Sequence, residues 1–449
     1  MPRRADENEP HPSRKSLRGL DWFIFFVADV QTGFGPFIAV YLTSQKWTQV
    51  DIGLVLSAGS LVALLGQMPG GALVDAARSE RLVAGLALTA IAASALAYAL
   101  LPIFPVVLTA AALHAAASCV LGPCIVAMSL GLVGHGAIAE RLGRNARFAS
   151  IGNGSAAAAM GAIGYVFSPS WVFFVTAALL IPTLVALSNI RPGEVDPDRA
   201  HGGPAGRKAD RSPVDVRAIL RKRPLIILAG CALLFHLANA SMLPLMASDV
   251  TKRSSEWATV LVGACIVMPQ LVVAVISPWV GHHAQLWGRR PFLLLAFAAL
   301  AIRGLLFATV TDPYLLVAVQ LFDGITAACL GVMVPLMIAD ITRSTGRFNL
   351  AQGIVGTAVG IGATISPTLS GYLSDHFGSP IAFLGLAVIA ATAFAAVWAL
   401  MPETRADPIE HDPGTTPTAN QEAGAAAATG TSSSATSLSR GAAESIKPR

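Results

Sequence analysis

Residues Asp21–Leu42 read DWFIFFVADVQTGFGPFIAVYL, an apolar run with one carboxylate, Asp29, set inside it. A run of this length crosses a bilayer when coiled into a helix. Lipid offers backbone N–H and C=O groups no partners, so a crossing segment satisfies them internally, as a helix does. Two questions follow. One is whether the whole chain is built this way; the other is what a carboxylate does there.

Composition answers the first. The 449 residues are 54% hydrophobic and only 13% charged, with a mean hydropathy of +0.62. A water-soluble enzyme of this size carries roughly a quarter charged residues. Apolar blocks of about 20 residues alternate with short charged loops, the pattern of membrane-spanning helices. Spans are predicted near 21–43, 51–74, 82–101, 104–132, 148–167 and 170–190, then near 224–248, 257–280, 291–310, 313–338, 349–373 and 380–401. The expected fold is an all-α membrane protein of twelve transmembrane helices in two six-helix halves. A tail over 1–20 precedes the first bundle (21–190). A linker over 191–223 joins it to the second (224–402), and a tail over 403–449 follows. The linker is rich in Pro, Gly and charge and is expected to be a flexible connection, its DVRAILRKR end able to form a short amphipathic surface helix. The Ala/Thr/Ser/Gly-rich tail is expected to be disordered.

Basic residues orient the chain. Twenty-seven of the 31 Lys and Arg fall on the side that also holds both chain ends. The opposite loops hold Lys46, Lys252 and Arg253, and Arg303 lies within a span. Positive charge accumulates on cytoplasmic loops, so both termini are expected in the cytoplasm, with the protein in the cell inner membrane. The pI near 9.1 then reports topology, with no aromatic-interleaved basic stripe to bind nucleic acid. The first apolar block exceeds a signal-peptide core and lacks a small-residue cleavage site, so it reads as a retained span. Cys119, Cys124, Cys231, Cys265 and Cys329 all fall within spans and read as packing residues.

The halves resemble each other. AERLGRNARFASIGNG follows span four and ADITRSTGRFNLAQG follows span ten, so Ala139, Glu140, Arg147 and Phe148 recur as Ala339, Asp340, Arg347 and Phe348. GALVDAARSERL follows span two and GHHAQLWGRRPF follows span eight, opening on Gly71 and Gly281. At these residues the chain resembles the major facilitator superfamily, whose signature loop runs Gly-x-x-x-Asp, a short spacer, then Gly-Arg-Arg or Gly-Arg-Lys. The first half keeps Gly71 and Asp75 but has Arg78-Ser79-Glu80 at the end. The second keeps Gly288-Arg289-Arg290 but has Gln285 for the Asp. The resemblance covers about 21–402. It implies two halves that rock about a central site, cavity-lining spans one, four, seven and ten, and an inner gate locked by charged contacts between helix ends. Asp75, Arg78, Arg289 and Arg290 inherit that gate role; topology alone is the competing explanation for the arginines.

Transport chemistry is expected on the polar side chains within spans, because a charge in mid-bilayer costs at least about 2.5–3.5 kcal/mol and faces the protein interior. These are Asp29, Gln31, His114, His236, Asn239, Gln270, Arg303, Gln320 and Asp323. Asp29 shares a helical face with Thr32, Gly33 and Pro36, beside a helix weakened by GFGP. A carboxylate whose hydration changes can take and release a proton, which a proton-coupled carrier requires; the alternative is a static, hydrogen-bonded Asp. Arg303 and Asp323 lie at compatible depths on consecutive spans. They read either as a neutralising pair or as an anion-binding Arg with a neighbouring Asp. His236 and Asn239 are i, i+3 on span seven, as Gln320 and Asp323 are on span ten. Asp29, Asp323 and His236 are the proton-coupling candidates. Gln31, His114, Asn239, Gln270, Arg303 and Gln320 are the substrate-cavity candidates.

No phosphate-binding glycine loop is present and His282-His283 lacks hydrolytic zinc spacing, so an enzyme is not expected, nor a metal or cofactor. The expectation is a monomeric secondary transporter moving a small organic solute by alternating access, through proton-coupled efflux or, alternatively, proton-coupled uptake. A non-transporting receptor or intramembrane enzyme is the contrasting class. Cysteines placed singly at Ser13 and Ser432 should both escape a membrane-impermeant thiol reagent in intact cells; labelling of either would contradict the orientation.

Overall fold

The computed structural model describes residues 12–32, 36–201, 219–246, 258–343, 345 and 347–405, and among these there is no strand. The α-helices are α1 (Arg14–Thr32), α2 (Pro36–Ser44), α3 (Gln49–Ala76), α4 (Glu80–Leu100), α5 (Phe104–Val166), α6 (Pro169–Ala178) and α7 (Leu180–Ser188) in the first half. The short α8 (Pro197–Ala200) follows. The second half holds α9 (Arg223–Asn239), α10 (Ala258–Trp287), α11 (Arg290–Thr309), α12 (Pro313–Ile341), α13 (Phe348–Phe377) and α14 (Ser379–Leu400). Ten stretches are long and apolar enough to cross a membrane. One of them, Phe104–Gly164, has 61 residues, about three times the span a bilayer needs. Gly134 adopts φ 67 and ψ 178 within it and divides it into spans four and five. A positive φ is cheap only for glycine. With the first span supplied by α1 and α2, the described helices amount to twelve spans.

Buried apolar side chains form two large clusters. One gathers Phe23, Leu88, Ile91, Tyr98 and Phe173 of the first half. The other centres on Leu228, Phe297, Leu300, Met333 and Leu386 of the second. The five cysteines are buried and unbridged. Trp22, Trp171, Trp279, Trp287 and Trp398 stand exposed, as aromatic side chains do where a helix bundle meets the headgroup region.

Three segments depart from the sequence reading. α1 begins at Arg14, before the predicted start; the Glu194 carboxylate accepts from the Ser13 N–H at 2.9 Å and from its hydroxyl at 2.8 Å, tying that helix start to the linker. The stretch 133–147, read as a loop, is helical after Gly134. Its Ala, Leu, Glu and Arg are good helix formers and carry the helix past Gly136 and Gly143, so charge marks where the membrane ends and not where the helix ends. The start of the linker is also ordered. The Asp196 N–H donates to the Gly131 carbonyl at 3.1 Å and Asp196 Oδ1 caps α8, while Ala200 and His201 are buried. Residues 202–218, with the first four of the nine residues of the expected amphipathic helix, and the tail from 406 lie outside the described residues; Ile219 and Leu220 are helical.

The halves meet backbone to backbone on the face that carries the linker. A Cβ on Gly71 would lie 2.1 Å from the Asn349 carbonyl oxygen, and one on Gly281 would lie 2.4 Å from that of Ala139. A Cβ on Gly353 would lie 2.4 Å from the Gln67 oxygen, and one on Gly143 would lie 2.5 Å from that of Ser277. Residues 71 and 281, 349 and 139, 67 and 277, 353 and 143 each differ by 210. The α3–α13 and α5–α10 contacts are therefore two copies of one contact. This register corrects the 200-residue match of Ala139, Glu140, Arg147 and Phe148 to Ala339, Asp340, Arg347 and Phe348: Phe348 opens α13, whereas Phe148 lies well inside α5. Both stretches look alike because each carries the basic residues that end a span.

Gly71→Ala should force this seam apart. Overpacking costs typically 1–3 kcal/mol, so hydrogen exchange of the Asn349 and Leu350 amides should quicken on the order of tenfold. Unchanged exchange would contradict the packing.

Candidate functional site

Between the halves lies a cavity of about 510 Å³. Gly122, Ile125 and Val126 of α5 form one wall; α9, α11, α12 and α13 form the rest. Most of the lining is apolar, including Leu228, Phe235 and Phe297, and it is interrupted by His236, Asn239, Asp323, Thr326 and Gln352.

The strongest polar constellation straddles the cavity wall. Arg303, on α11, is 1% exposed. Its Nη1 donates to Asp323 Oδ1 at 2.5 Å and to Asn239 Oδ1 at 2.6 Å. Its guanidinium carbon lies 5.3 Å from the Phe307 ring centroid. The guanidinium is not among the groups that line the cavity, whereas Asp323 and Asn239 are. Of the two readings of these residues, the geometry is that of the pair: a buried cation held by a carboxylate and an amide, with the carboxylate between it and the cavity. His236 joins them on the wall, its Nδ1 3.0 Å from the Ala232 carbonyl oxygen.

The other polar residues are placed elsewhere. Gln320 is fully buried on α12 and lines neither this cavity nor that of the first half. His114 lines a separate cavity of about 300 Å³ in the first half, with Gln67, Ser118 and Cys119. Gln270 is a cross-half contact: its Oε1 accepts from the Ser150 hydroxyl at 2.6 Å and its carbonyl accepts at 2.8 Å. Gln31 is exposed. Asp29 is buried against Ser155 of α5, lines neither cavity, and pairs with no cation among the described residues. The segment 33–35, where the sequence predicts a weakened helix, lies outside the described residues, between the end of α1 and Pro36.

At the linker face, Asp75 does not meet Arg289 or Arg290. It caps a helix of the opposite half: Oδ1 accepts from the Asn349 N–H at 3.1 Å and its Nδ2 at 2.8 Å, and Oδ2 accepts from the Leu350 N–H at 2.7 Å. The Arg347 side chain supplies no cap to α13, so the orphan amides of that helix start are satisfied from across the interface. The Phe348 N–H donates to the His201 carbonyl at 3.3 Å, and His201 Nε2 lies 3.2 Å from the Val74 oxygen and 3.3 Å from Glu80 Oε1. Gln285, at the position matching Asp75, donates to the Gly136 carbonyl at 3.0 Å, and His282 meets Glu140 at 3.0 Å. Arg289 and Arg290 act within their own half: Arg289 Nε donates to Asp340 at 2.9 Å, and the Arg289 and Arg290 amides donate to Glu403 at 2.8 and 3.1 Å. Arg78 is exposed and pairs with no carboxylate among the described residues. The sequence reading missed Gln67, Gln352 and His201. The two glutamines carry the same signal as the others, a polar side chain in an apolar span; His201 carries none.

Asp323→Ala leaves the Arg303 charge buried without its carboxylate, a change that typically costs 3–5 kcal/mol. The single variant should therefore unfold at lower temperature than the Arg303→Ala/Asp323→Ala double variant. The opposite order would contradict the pairing.

Comparison with known proteins agrees with this architecture. The family model described as Major Facilitator Superfamily matches residues 22–282 and 229–432. An MFS-type transporter of Mycobacterium tuberculosis strain H37Rv is 38% identical over 394 residues, covering 86% of this chain and 93% of the relative. The class B tetracycline resistance protein of Escherichia coli is 29% identical over 113 residues, 25% of this chain and 28% of that protein. The crystal structure of FucP, a Major Facilitator Superfamily transporter in the outward conformation, superposes with a TM-score of 0.66 at 14% identity, covering 86% of this chain and 97% of that one. Repeated halves, a cavity between them and a family match over residues 22–432 lead to one conclusion: the chain belongs to the Major Facilitator Superfamily of transporters.

Proposed function

We propose that this transporter exports small, largely apolar organic compounds from the cytoplasm in exchange for protons, with the linker face cytoplasmic and the inner membrane as its location. The observation that carries the reading is the central cavity. Its volume of about 510 Å³ suits a drug-sized molecule. Its walls are mainly apolar, and the guanidinium that could hold an anion is hidden behind Asp323 and Asn239. The charge nearest the substrate is then a carboxylate, which favours neutral compounds and those with a basic nitrogen. The partial match to a tetracycline resistance protein points the same way. Asp29 is the group we assign to the proton. It is a buried carboxylate beside Ser155 without a cationic partner among the described residues, on a helix that packs against the moving interface of α5. As the halves rock, water reaches or leaves it, and a carboxylate under changing hydration exchanges its proton.

Two measurements test this. In everted vesicles with an acidified lumen, a transported amphiphile should accumulate; loss of preloaded compound under the same gradient would reverse the direction in favour of uptake. In proteoliposomes, Asp29→Asn should retain substrate exchange yet lose pH-driven uphill transport. Uphill transport at the wild-type level would remove Asp29 from the coupling role.

A further inference from the structure

A second concave site lies on the linker face, away from the transport cavity. It measures about 310 Å³ and is walled by the start of α1 and the part of α5 from Val133 to Arg144. Arg14, Arg18, Arg141 and Arg144 converge on it, with Leu17, Val133 and Ala137 as its apolar wall. The carboxylates present are too few for these guanidiniums. Asp21 accepts from both Arg141 and Arg144, each at 2.6 Å. Glu140 also lines the hollow and meets His282 Nδ1 at 3.0 Å. No carboxylate among the described residues pairs with Arg14 or Arg18, which are i, i+4 on one helix, a spacing at which like charges repel. Topology asks only that arginines lie on this side of the membrane; it does not ask that four of them surround one hollow.

We propose that this pocket binds the phosphate headgroup of an anionic phospholipid. Arginine forks match a phosphate diester in shape and charge. The apolar wall suits the glycerol and first methylenes of a lipid rather than a hydrated ion. The depth fits as well: Trp22, one turn along α1 from Arg18, is half exposed, stacks on Phe26 and meets Phe148 edge-on, while the Arg144 guanidinium lies over Phe148 at 5.5 Å. Exposed tryptophan at the end of a span marks the headgroup layer, and basic pockets between helix ends on that side are where anionic headgroups lodge. The lipid would join the start of α1 to α5 outside the hydrophobic core.

The test uses the full chain in nanodiscs of phosphatidylcholine alone and of an equimolar mixture with phosphatidylglycerol, with retained lipid counted by native mass spectrometry and thermal unfolding followed in parallel. The wild type should retain phosphatidylglycerol in preference to phosphatidylcholine and unfold at higher temperature in the mixture. Arg14→Gln/Arg18→Gln should lower that preference on the order of tenfold, since each basic residue near the surface adds roughly 1 kcal/mol, and should lose the thermal shift. Arg221→Gln, a basic position outside the pocket, should keep both. If the double variant is misfolded in phosphatidylcholine alone, Arg18→Gln replaces it, with a smaller loss expected. Equal retention by wild type and variant, or equal loss with Arg221→Gln, would overturn the proposal. So would an equal thermal shift from inorganic phosphate in phosphatidylcholine nanodiscs, which would assign the pocket to a soluble anion.

Discussion

A carboxylate on one half caps a helix of the other. Asp75, at the end of α3, takes the amides that open α13, and the glycines around it let the two backbones approach until no Cβ fits between them. Much of the linker face is arranged about this seam. The linker lies against it through His201, just after α8, and the matching seam between α5 and α10 repeats its glycine contacts 210 residues away. Such a joint suits a machine that must open. Inside the closed interface the hydrogen bonds satisfy groups that would otherwise be orphaned. Once the halves part, water satisfies the same groups, so the net loss is near the value of a helix cap, about 0.5–2 kcal/mol. A ligand or proton with modest differential affinity can shift an equilibrium of that size.

Charge in the interior is handled by a different device. Arg303 is buried deeply enough that it needs a partner, and Asp323 and Asn239 provide one on the side facing the cavity. The arrangement removes a naked cation from the cavity wall while leaving a carboxylate edge on it. Asp29 has no such partner among the described residues. The two intramembrane aspartates therefore have opposite surroundings, one neutralised by a guanidinium and one beside only a hydroxyl.

Much of the fold could be read from hydrophobic block length, because the bilayer fixes how long a span must be. The Arg303–Asp323 pair was legible for the same reason: depth along consecutive spans can be counted. What could not be read was whatever depends on rotation about a helix axis or on contacts between distant loops. Gln320 and Asp323 share a helical face by spacing, yet one packs inside its half and the other lines the cavity. The Asp75 cap joins residues 274 apart in sequence and uses backbone amides, which have no letter in the sequence. The helical stretch after Gly134 reads as a loop in sequence because its charges mark the membrane boundary and Gly136 and Gly143 interrupt it, yet its Ala, Leu, Glu and Arg carry the helix on.

If the linker-face seam closes in one state and parts for transport, holding it shut stops flux. Glu140 and His282 meet across it at 3.0 Å with both side chains exposed, so a pair of cysteines there can be bridged by a short, reducible bifunctional reagent. Bridged Glu140→Cys/His282→Cys protein should lose substrate flux in proteoliposomes and regain it on reduction. Full flux while the bridge is intact would contradict the account.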